Sequence, residues 1–245
     1  MYTEICKIGP FTIFSYGLML VIAFLVATYL STKQAKKEKI NPEIISNLLF
    51  IAFISGIAGA RIFYISYNLS FYLKNPLEIL MFQHGGMSWF GGLILGLSAS
   101  IFYIKKKGLS IYKILDLIIP FVALAQAIGR IGCLLNGCCF GRETSGFGLY
   151  FPVHDAVLIP TQIYSSFLLV IIFIVLRFLQ ERPHKSGEIF FSYLLLYSLK
   201  RFFIEFWRAD NPAFWLGLTL FQLLCVLMFV IALVKLISMK QHHNT

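Results

Sequence analysis

Long apolar runs, broken by short lysine-rich segments, constrain this chain more than any other feature. The first run covers 13–30 and is followed by a basic segment, 33–39; similar runs recur as far as the C-terminus. A membrane-spanning helix needs about 20 apolar residues, so seven spans would occupy roughly 140 residues. Hydrophobic residues make up 58% of the 245 positions, which is enough for that number. Charged residues make up only 13%. Soluble domains carry about 25%, so an ordinary soluble domain is excluded.

The sequence therefore predicts an all-α integral membrane protein, a bundle of seven transmembrane helices that forms one domain over 1–245. The segment 68–83 is mixed in composition and is typical of an interfacial segment. The longest stretch between spans is polar and rich in glycine, and we place it at 129–160. The predicted spans lie at about 13–30, 44–67, 87–104, 112–127, 162–179, 188–206 and 214–237.

The positions of the cationic residues predict the orientation in the membrane. Most of the 21 lysine and arginine residues fall in alternate loops and in the C-terminal tail, which an odd number of spans places on one face. By the positive-inside rule the C-terminus is cytoplasmic, the N-terminus is outside, and the polar segment 129–160 lies at the outer face. The net charge of +10 is thereby explained by topology. We expect no nucleic-acid partner.

Charged side chains at membrane depth are costly and are often functional. Arg61 follows a run of small residues, which allows close helix packing while its guanidinium points into the bundle. Arg201, Glu205 and Arg208 are spaced so that they share one face of a helix. For both features the alternative is structural: a snorkelling or paired arginine for the first, and a buried salt bridge that fixes helix packing for the second.

Two glycine-rich blocks are candidate anion sites. Gly-Gly pairs at 85–86 and 91–92 bracket the start of a helix, where exposed N–H groups attract anions; the alternative is a tight turn and close packing. The block 129–142 combines Arg130 with Asn136 and several glycines. Arginine binds phosphate with a planar fork, so this block favours a phospholipid head-group site over a merely capped helix end.

Three cysteines, at 133, 138 and 139, lie in the second of these blocks. Adjacent cysteines have poor geometry for chelation, and no histidine nearby completes a ligand set, so we expect no metal. A disulfide from Cys133 to Cys138 or Cys139 would suit an oxidising outer face, and the spacing leaves that open.

These blocks, in their order along the chain, resemble the prolipoprotein diacylglyceryl transferase family. The most specific is Gly-Arg-Ile-Gly…Asn-Gly…Gly-Arg at 129–142, and the resemblance covers nearly the whole chain. The other matching blocks are Tyr-Gly-Leu-Met at 16–19, Gly-Ala-Arg at 59–61, Gly-Gly-Met-Ser…Gly-Gly at 85–92, Pro-Thr-Gln-Ile-Tyr at 160–164 and Arg-Phe-Phe-Ile-Glu-Phe-Trp-Arg at 201–208.

The resemblance implies a multi-pass enzyme of the bacterial inner (plasma) membrane. It would transfer the diacylglyceryl group of phosphatidylglycerol to the lipobox cysteine of a preprolipoprotein, release glycerol-1-phosphate and need no cofactor. Its partners would be these two substrates and membrane lipids. The site residues carried over by position are Arg130 for the phosphate, Asn136 and Gly141 around it, Arg201 and Glu205 as an essential pair, Arg208 near the head group, and Tyr16, Arg61, Gly91 and Gly92 in the pocket.

The chain also departs from the family pattern. A histidine that well-studied members carry before the second Gly-Gly pair is Phe90 here, and another, before the Pro-Thr-Gln block, is Ile159. The base that activates the thiol is therefore left open between Glu205 and His84, which is not the positional match of either. The alternative function is a diverged homologue that acts on another acceptor or lipid, with a role for its cysteines.

Overall fold

A computed structural model of the chain describes residues 4–8, 11–81, 85–152, 154–209 and 211–241. They form eight α-helices, one turn of 3-10 helix at Pro76–Ile79 and three short hairpins. The helices are α1 Ser15–Lys37, α2 Pro42–Tyr67, α3 Leu69–Lys74, α4 Trp89–Lys106, α5 Ile111–Leu135, α6 Thr161–Gln180, α7 Glu188–Glu205 and α8 Leu220–Gln241. The antiparallel hairpins pair β1 Glu4–Ile8 with β2 Phe11–Phe14, β3 Leu149–Phe151 with β4 Ala156–Leu158, and β5 Ala213–Trp215 with β6 Leu218–Thr219.

Five of the helices, α1, α2, α5, α6 and α8, are long and apolar enough to cross a membrane. They expose large apolar side chains, among them Leu25, Phe50 and Phe167, which a lipid environment covers and water does not. The chain is therefore a helical, multi-pass integral membrane protein. Helices α4 and α7 have 18 residues each; α4 ends on two lysines, and α7 carries Lys200 and Arg201 with a glutamate at each end.

The chain divides into two compact units, Met1–Ala27 with Leu115–Thr245, and Thr28–Ile114. The core of the first unit is made by α5, α6 and α7, where Ile119, Leu176, Ile189 and Tyr193 pack together. The carboxylate of Asp116 on α5 accepts hydrogen bonds from the N–H groups of Gly187 (2.5 Å) and Phe190 (2.8 Å). Phe190 lies in the first turn of α7 and Gly187 is the residue just before it, so a side chain from α5 caps that helix.

In the second unit α2 packs closely against α4. Asn41 begins α2 by accepting a hydrogen bond from the N–H of Glu43 at 2.9 Å, with Pro42 at the first helical position, as the sequence Asn-Pro-Glu predicts. Gly59 and Gly91 face each other across the helix pair, and a Cβ on either would overlap the carbonyl oxygen of the other. Glycine at both positions is what allows the two backbones to approach.

The structure corrects the predicted end of the fourth span. The sequence predicts that end at about 127 and the start of the polar segment at 129, whereas α5 continues to Leu135. Gly132 lies inside the helix, where a Cβ would stand 3.0 Å from the Cβ of Met19. That glycine serves the packing of α5 on the start of α1. Arg130 is therefore a helical residue rather than part of a loop.

Candidate active site

The end of α7 carries a fully buried carboxylate between two arginines. Arg201 Nη2 lies 2.9 Å from Glu205 Oε2, and Arg208 Nε lies 3.9 Å from the same oxygen. The other oxygen, Oε1, accepts hydrogen bonds from Asn211 Nδ2 at 2.6 Å and Thr219 Oγ1 at 3.1 Å. The spacing of four residues on α7 pairs Arg201 with Glu205, as the sequence predicts, whereas Arg208 lies beyond the end of the helix and approaches the carboxylate from there.

Arg130 on α5 belongs to the same group of charges. The positive charge of Arg130 repels those of Lys200 and Arg201. Arg208 repels the same two residues. Within the described residues the guanidinium of Arg130 forms no hydrogen bond or ion pair. Two cations, Arg201 and Arg208, lie at the carboxylate of Glu205, and Arg130 and Lys200 interact with these arginines, so the group of charges has a positive excess. Such an excess favours an anion.

Lys200 is a member of this group that the sequence motifs do not predict. Its side chain is buried, its Nζ donates to Ser165 Oγ on α6 at 3.1 Å, and it lies 4.6 Å from the centre of the Tyr197 ring. In the sequence, the feature that could have indicated a functional role for Lys200 is the presence of a lysine within an apolar, aromatic helix. Its partner Ser165 is 35 residues away and carries no signal of its own.

The segment after α5 is joined to the end of α7 through its backbone. Gly141 and Arg208 form an isolated antiparallel bridge, and the N–H of Arg142 donates to the carbonyl of Trp207 at 2.8 Å. A Cβ on Gly141 would lie 2.6 Å from that carbonyl oxygen and 2.8 Å from the Cβ of Ile159, so a larger residue would push the two segments apart. Gly141 therefore brings its own segment up to Arg208.

Asn136 ends α5 at the edge of this group. The N–H of Cys138 donates to the carbonyl of Cys133 and the N–H of Gly137 to that of Leu134, both at 3.1 Å, with Gly137 at φ +71°. This pair of bonds is the Schellman motif that commonly ends helices. The side-chain amide of Asn136 lies close enough to the Cys138 thiol to interact with it. Hydrogen bonds from Cys133 and Cys138 lower the pKa of the Cys139 thiol, and the charges of Arg208 and Arg130 lower that pKa further.

Tyr16, at the start of α1, lies beside α5. Its ring would be 3.4 Å from a Cβ on Gly132, and the charge of Arg130 reaches its hydroxyl. Gly132 thus gives the tyrosine room. The first unit therefore holds seven of the residues singled out from the sequence: Tyr16, Arg130, Asn136, Gly141, Arg201, Glu205 and Arg208.

Arg61 lies in the second unit and is buried. Its guanidinium donates to backbone carbonyls of the segment between α3 and α4: Ile79 at 3.2 Å, Met81 at 3.2 Å, Gly86 at 3.1 Å, and also Glu78 and Gly85. It stacks over the ring of Tyr72 at 5.4 Å. This geometry supports the structural alternative, in which Arg61 holds a backbone segment in place.

Gly91 and Gly92 lie in the first turn of α4, where Ser88 caps the helix by accepting from the N–H of Gly91 at 3.5 Å. Gly91 faces Gly59, and a Cβ on Gly92 would stand 3.0 Å from the carbonyl oxygen of Gly56. Close helix packing explains both glycines. His84, the second candidate base, lies outside the described residues.

Comparison with known proteins identifies the family. A model of the family described as prolipoprotein diacylglyceryl transferase matches residues 3–238. This chain belongs to that family. The resemblance drawn from the motifs is thereby confirmed.

Curated relatives that carry the family's name align with this chain over most of their length. A phosphatidylglycerol–prolipoprotein diacylglyceryl transferase of Clostridium tetani is 37% identical over 204 residues, which cover 81% of this chain and 82% of the relative. The protein of the same name from Streptococcus mutans is 32% identical and covers 97% and 95%. That from Listeria innocua is 34% identical and covers 93% and 86%.

Proposed function

We propose that this chain transfers the diacylglyceryl group of phosphatidylglycerol to the lipobox cysteine thiol of preprolipoproteins and releases glycerol-1-phosphate. The observation that supports it is the group of charges in which Arg130 and Lys200 interact with the Glu205-paired Arg201 and Arg208, with the guanidinium of Arg130 open to a phosphate. The names of the relatives favour this activity over that of a homologue with another acceptor or lipid.

In the proposed reaction the sulfur of the substrate cysteine bonds to the glyceryl carbon that carries the phosphate. The bond from that carbon to the phosphate oxygen breaks, and its electron pair leaves with glycerol-1-phosphate. Arg130 binds the phosphate, while Arg201 and Arg208 stabilise the charge that grows on the leaving oxygen. The same cations favour the thiolate form of the incoming cysteine.

The thiol proton needs an acceptor, and the two candidates differ in what supports them. Glu205 lies beside the cations; its Oε1 accepts hydrogen bonds from Asn211 and Thr219, and its Oε2 forms the ion pair with Arg201 and accepts no hydrogen bond among the described residues. These contacts support a role in orienting the arginines. His84 therefore remains the alternative base. Arg61, Gly91 and Gly92 would act indirectly, by holding the backbone around the start of α4.

An apolar cavity of about 420 Å³ lies next to this group and would take an acyl chain. Its lining includes Ile159, Tyr164 and Trp207. Trp207 also accepts the backbone bond of Arg142 and precedes Arg208, so the cavity adjoins the proposed phosphate site. Tyr16, Asn136 and Gly141 would shape the polar end of this site.

The proposed arrangement in the membrane has seven spans in a single domain, with α4 and α7 completing the five apolar helices. The N-terminus lies outside and the C-terminus in the cytoplasm of a bacterial cell, whose inner (plasma) membrane holds the protein. The basic loops support this orientation. The phosphate site would then open to the outer leaflet, where exported preprolipoproteins present their cysteine.

The test is transfer of label from glycerol-labelled phosphatidylglycerol to a lipobox peptide by purified protein in detergent. Label on the peptide, and none on a Cys→Ser peptide, is the expected result. Arg130→Ala should lower transfer by about a hundredfold to a thousandfold, because one stabilising donor is lost. Arg182→Ala, at an exposed arginine stacked on Phe178, is the matched control and should keep full transfer. Equal transfer by both variants would refute the assignment of Arg130.

A further inference from the structure

The turn after α5 brings three thiols together. The Sγ atoms of Cys133, Cys138 and Cys139 all lie within 4.8 Å of one another; none of the three forms a disulfide in this structure, and all are buried or partly buried. Because two of the cysteines are adjacent, the sequence predicts no chelation here. The transfer reaction proposed above uses none of them.

The backbone explains how cysteines at these positions meet. The Schellman motif sets the residue after its glycine, Cys138, beside the helical residue Cys133, the pair that usually makes the apolar contact of this motif. Cys139 then has φ +64°, a left-handed conformation that side chains other than glycine adopt at a cost. That conformation turns the chain so that a third sulfur joins the first two.

The turn is also held from outside. The carbonyl of Cys138 accepts from Gln162 Nε2 and that of Cys139 from Thr161 Oγ1, each at 2.7 Å. Both donors are buried at the start of α6. The backbone of the two adjacent cysteines is therefore fixed, and the thiols are arranged before any ligand arrives.

We propose that Cys133, Cys138 and Cys139 form a three-thiolate site for a soft, thiophilic metal ion, Cu(I) or Zn(II). A metal–sulfur bond of about 2.3 Å places the sulfurs of a trigonal or tetrahedral site about 4 Å apart, so small side-chain movements close the site. Thiolates select these ions over hard cations. Among the described residues no histidine or carboxylate joins the group. Cu(I) is satisfied by three sulfurs, whereas Zn(II) would add a water or another ligand.

The surrounding charge favours the loaded site. Three thiolates with Cu(I) carry a net charge of two minus, and with Zn(II) of one minus. The positive charges of Arg208 and Arg130 stabilise negative charge on the Cys139 sulfur. Binding releases the thiol protons to solvent, as metal binding by cysteine generally does, and no electron is transferred.

The test uses the full-length protein in detergent. The protein is first reduced, its free thiols are counted, and it is then kept under an oxygen-free atmosphere. Zn(II) is added in one arm and Cu(I) in the other, each against a chromophoric chelator, and the bound metal is measured by mass spectrometry. We expect one ion per chain in at least one arm. X-ray absorption of that sample should show three sulfur neighbours around the ion.

The variants decide whether these sulfurs are the ligands. The triple variant Cys133→Ser, Cys138→Ser, Cys139→Ser should bind no ion, and Cys139→Ser alone should weaken binding at least tenfold. Cys225→Ser and Cys6→Ser remove one thiol elsewhere and should bind as the parent does. Wild-type protein that holds no ion in either arm would overturn the proposal, as would a triple variant that still binds one.

Two further measurements keep the test decisive. If the triple variant does not fold, the number of sulfur neighbours in Cys139→Ser, two rather than three, takes its place. Label transfer is measured separately, because the metal site does not depend on the transferase assignment. Transfer without metal binding would refute this proposal alone, and metal binding without transfer would refute the other.

Discussion

Glu205 shows what a single buried carboxylate does among cations. Its side chain has no exposed surface, and it holds Arg201, Asn211 and Thr219 in one arrangement. Removing one member of a buried ion pair leaves the other charge without compensation. The arginines that we assign to the phosphate thus depend on Glu205 for their position.

Glu205→Gln should therefore reduce both stability and transfer. We expect a loss of about 3–5 kcal/mol in the free energy of unfolding, because the arginine charges stay buried without their partner. The measurement is unfolding in a denaturing-detergent titration, together with label transfer.

Glu181→Gln is the matched control for this change. Its carboxylate pairs with Arg177 at 3.0 Å, but its side chain is 67% exposed. An exposed pair of this kind contributes less than about 1 kcal/mol. Similar losses in the two variants would contradict the role of Glu205.

Gly141 offers a second prediction for a single residue. Gly141→Ala places a methyl group 2.6 Å from the carbonyl oxygen of Trp207, and should cost about 1–3 kcal/mol as the segment moves away from α7. Transfer should fall as well, because Arg208 is bridged to this glycine. Thermal unfolding and label transfer measure the two effects.

Gly129 on α5 is the control for that substitution. A Cβ at this position meets nothing within 4 Å, and alanine favours a helix interior over glycine by about 0.5–1 kcal/mol. Gly129→Ala should therefore leave stability unchanged or raise it. If Gly141→Ala were as stable as Gly129→Ala, the close contact at Trp207 would be wrong.

Helices α2 and α4 pack against each other through their glycines. The stability of this helix pair should therefore depend on those glycines. Gly91→Ala would drive a methyl group into the carbonyl of Gly59 and the Cβ of Phe63, so we expect the second unit to lose about 1–3 kcal/mol. At Gly96 on the same helix a Cβ would stand 3.4 Å from the carbonyl oxygen of Ala52. Gly96→Ala should therefore cost clearly less. Equal unfolding midpoints in detergent would argue against the close approach.

The whole molecule has a natural probe of its orientation. Cys6 in β1 is an exposed cysteine close to the N-terminus. A chain whose other cysteines are changed to serine should be labelled at Cys6 by a membrane-impermeant thiol reagent in intact cells, because the N-terminus is proposed to lie outside.

The opposite end supplies the comparison. With Cys6→Ser and Lys240→Cys in the same background, labelling should require permeabilised cells, because the tail is proposed to be cytoplasmic. Labelling in the reverse order would invert the proposed topology, and labelling of both in intact cells would rule out an odd number of spans.

The sequence by itself determined the class of the molecule and its family. Apolar runs and their length decide whether a helix can cross a membrane, and composition alone carries that information. The ordered motifs identify the family without a structure, and the spacing of Arg201 and Glu205 on α7 predicts their ion pair. The cap of α2 follows in the same way from Asn41 and Pro42, because capping depends on neighbours in the chain.

Only the tertiary structure decided what depends on distant partners. The contact of Gly132 with Met19, which is far away in the chain, gives that glycine a place inside α5, and the helix runs further than the glycine-rich sequence predicts. Lys200 gains its meaning from Ser165 on another helix. The three cysteines meet because a helix cap and a left-handed residue turn the chain between them, and linear spacing does not report the backbone angles that bring their sulfurs within 4.8 Å.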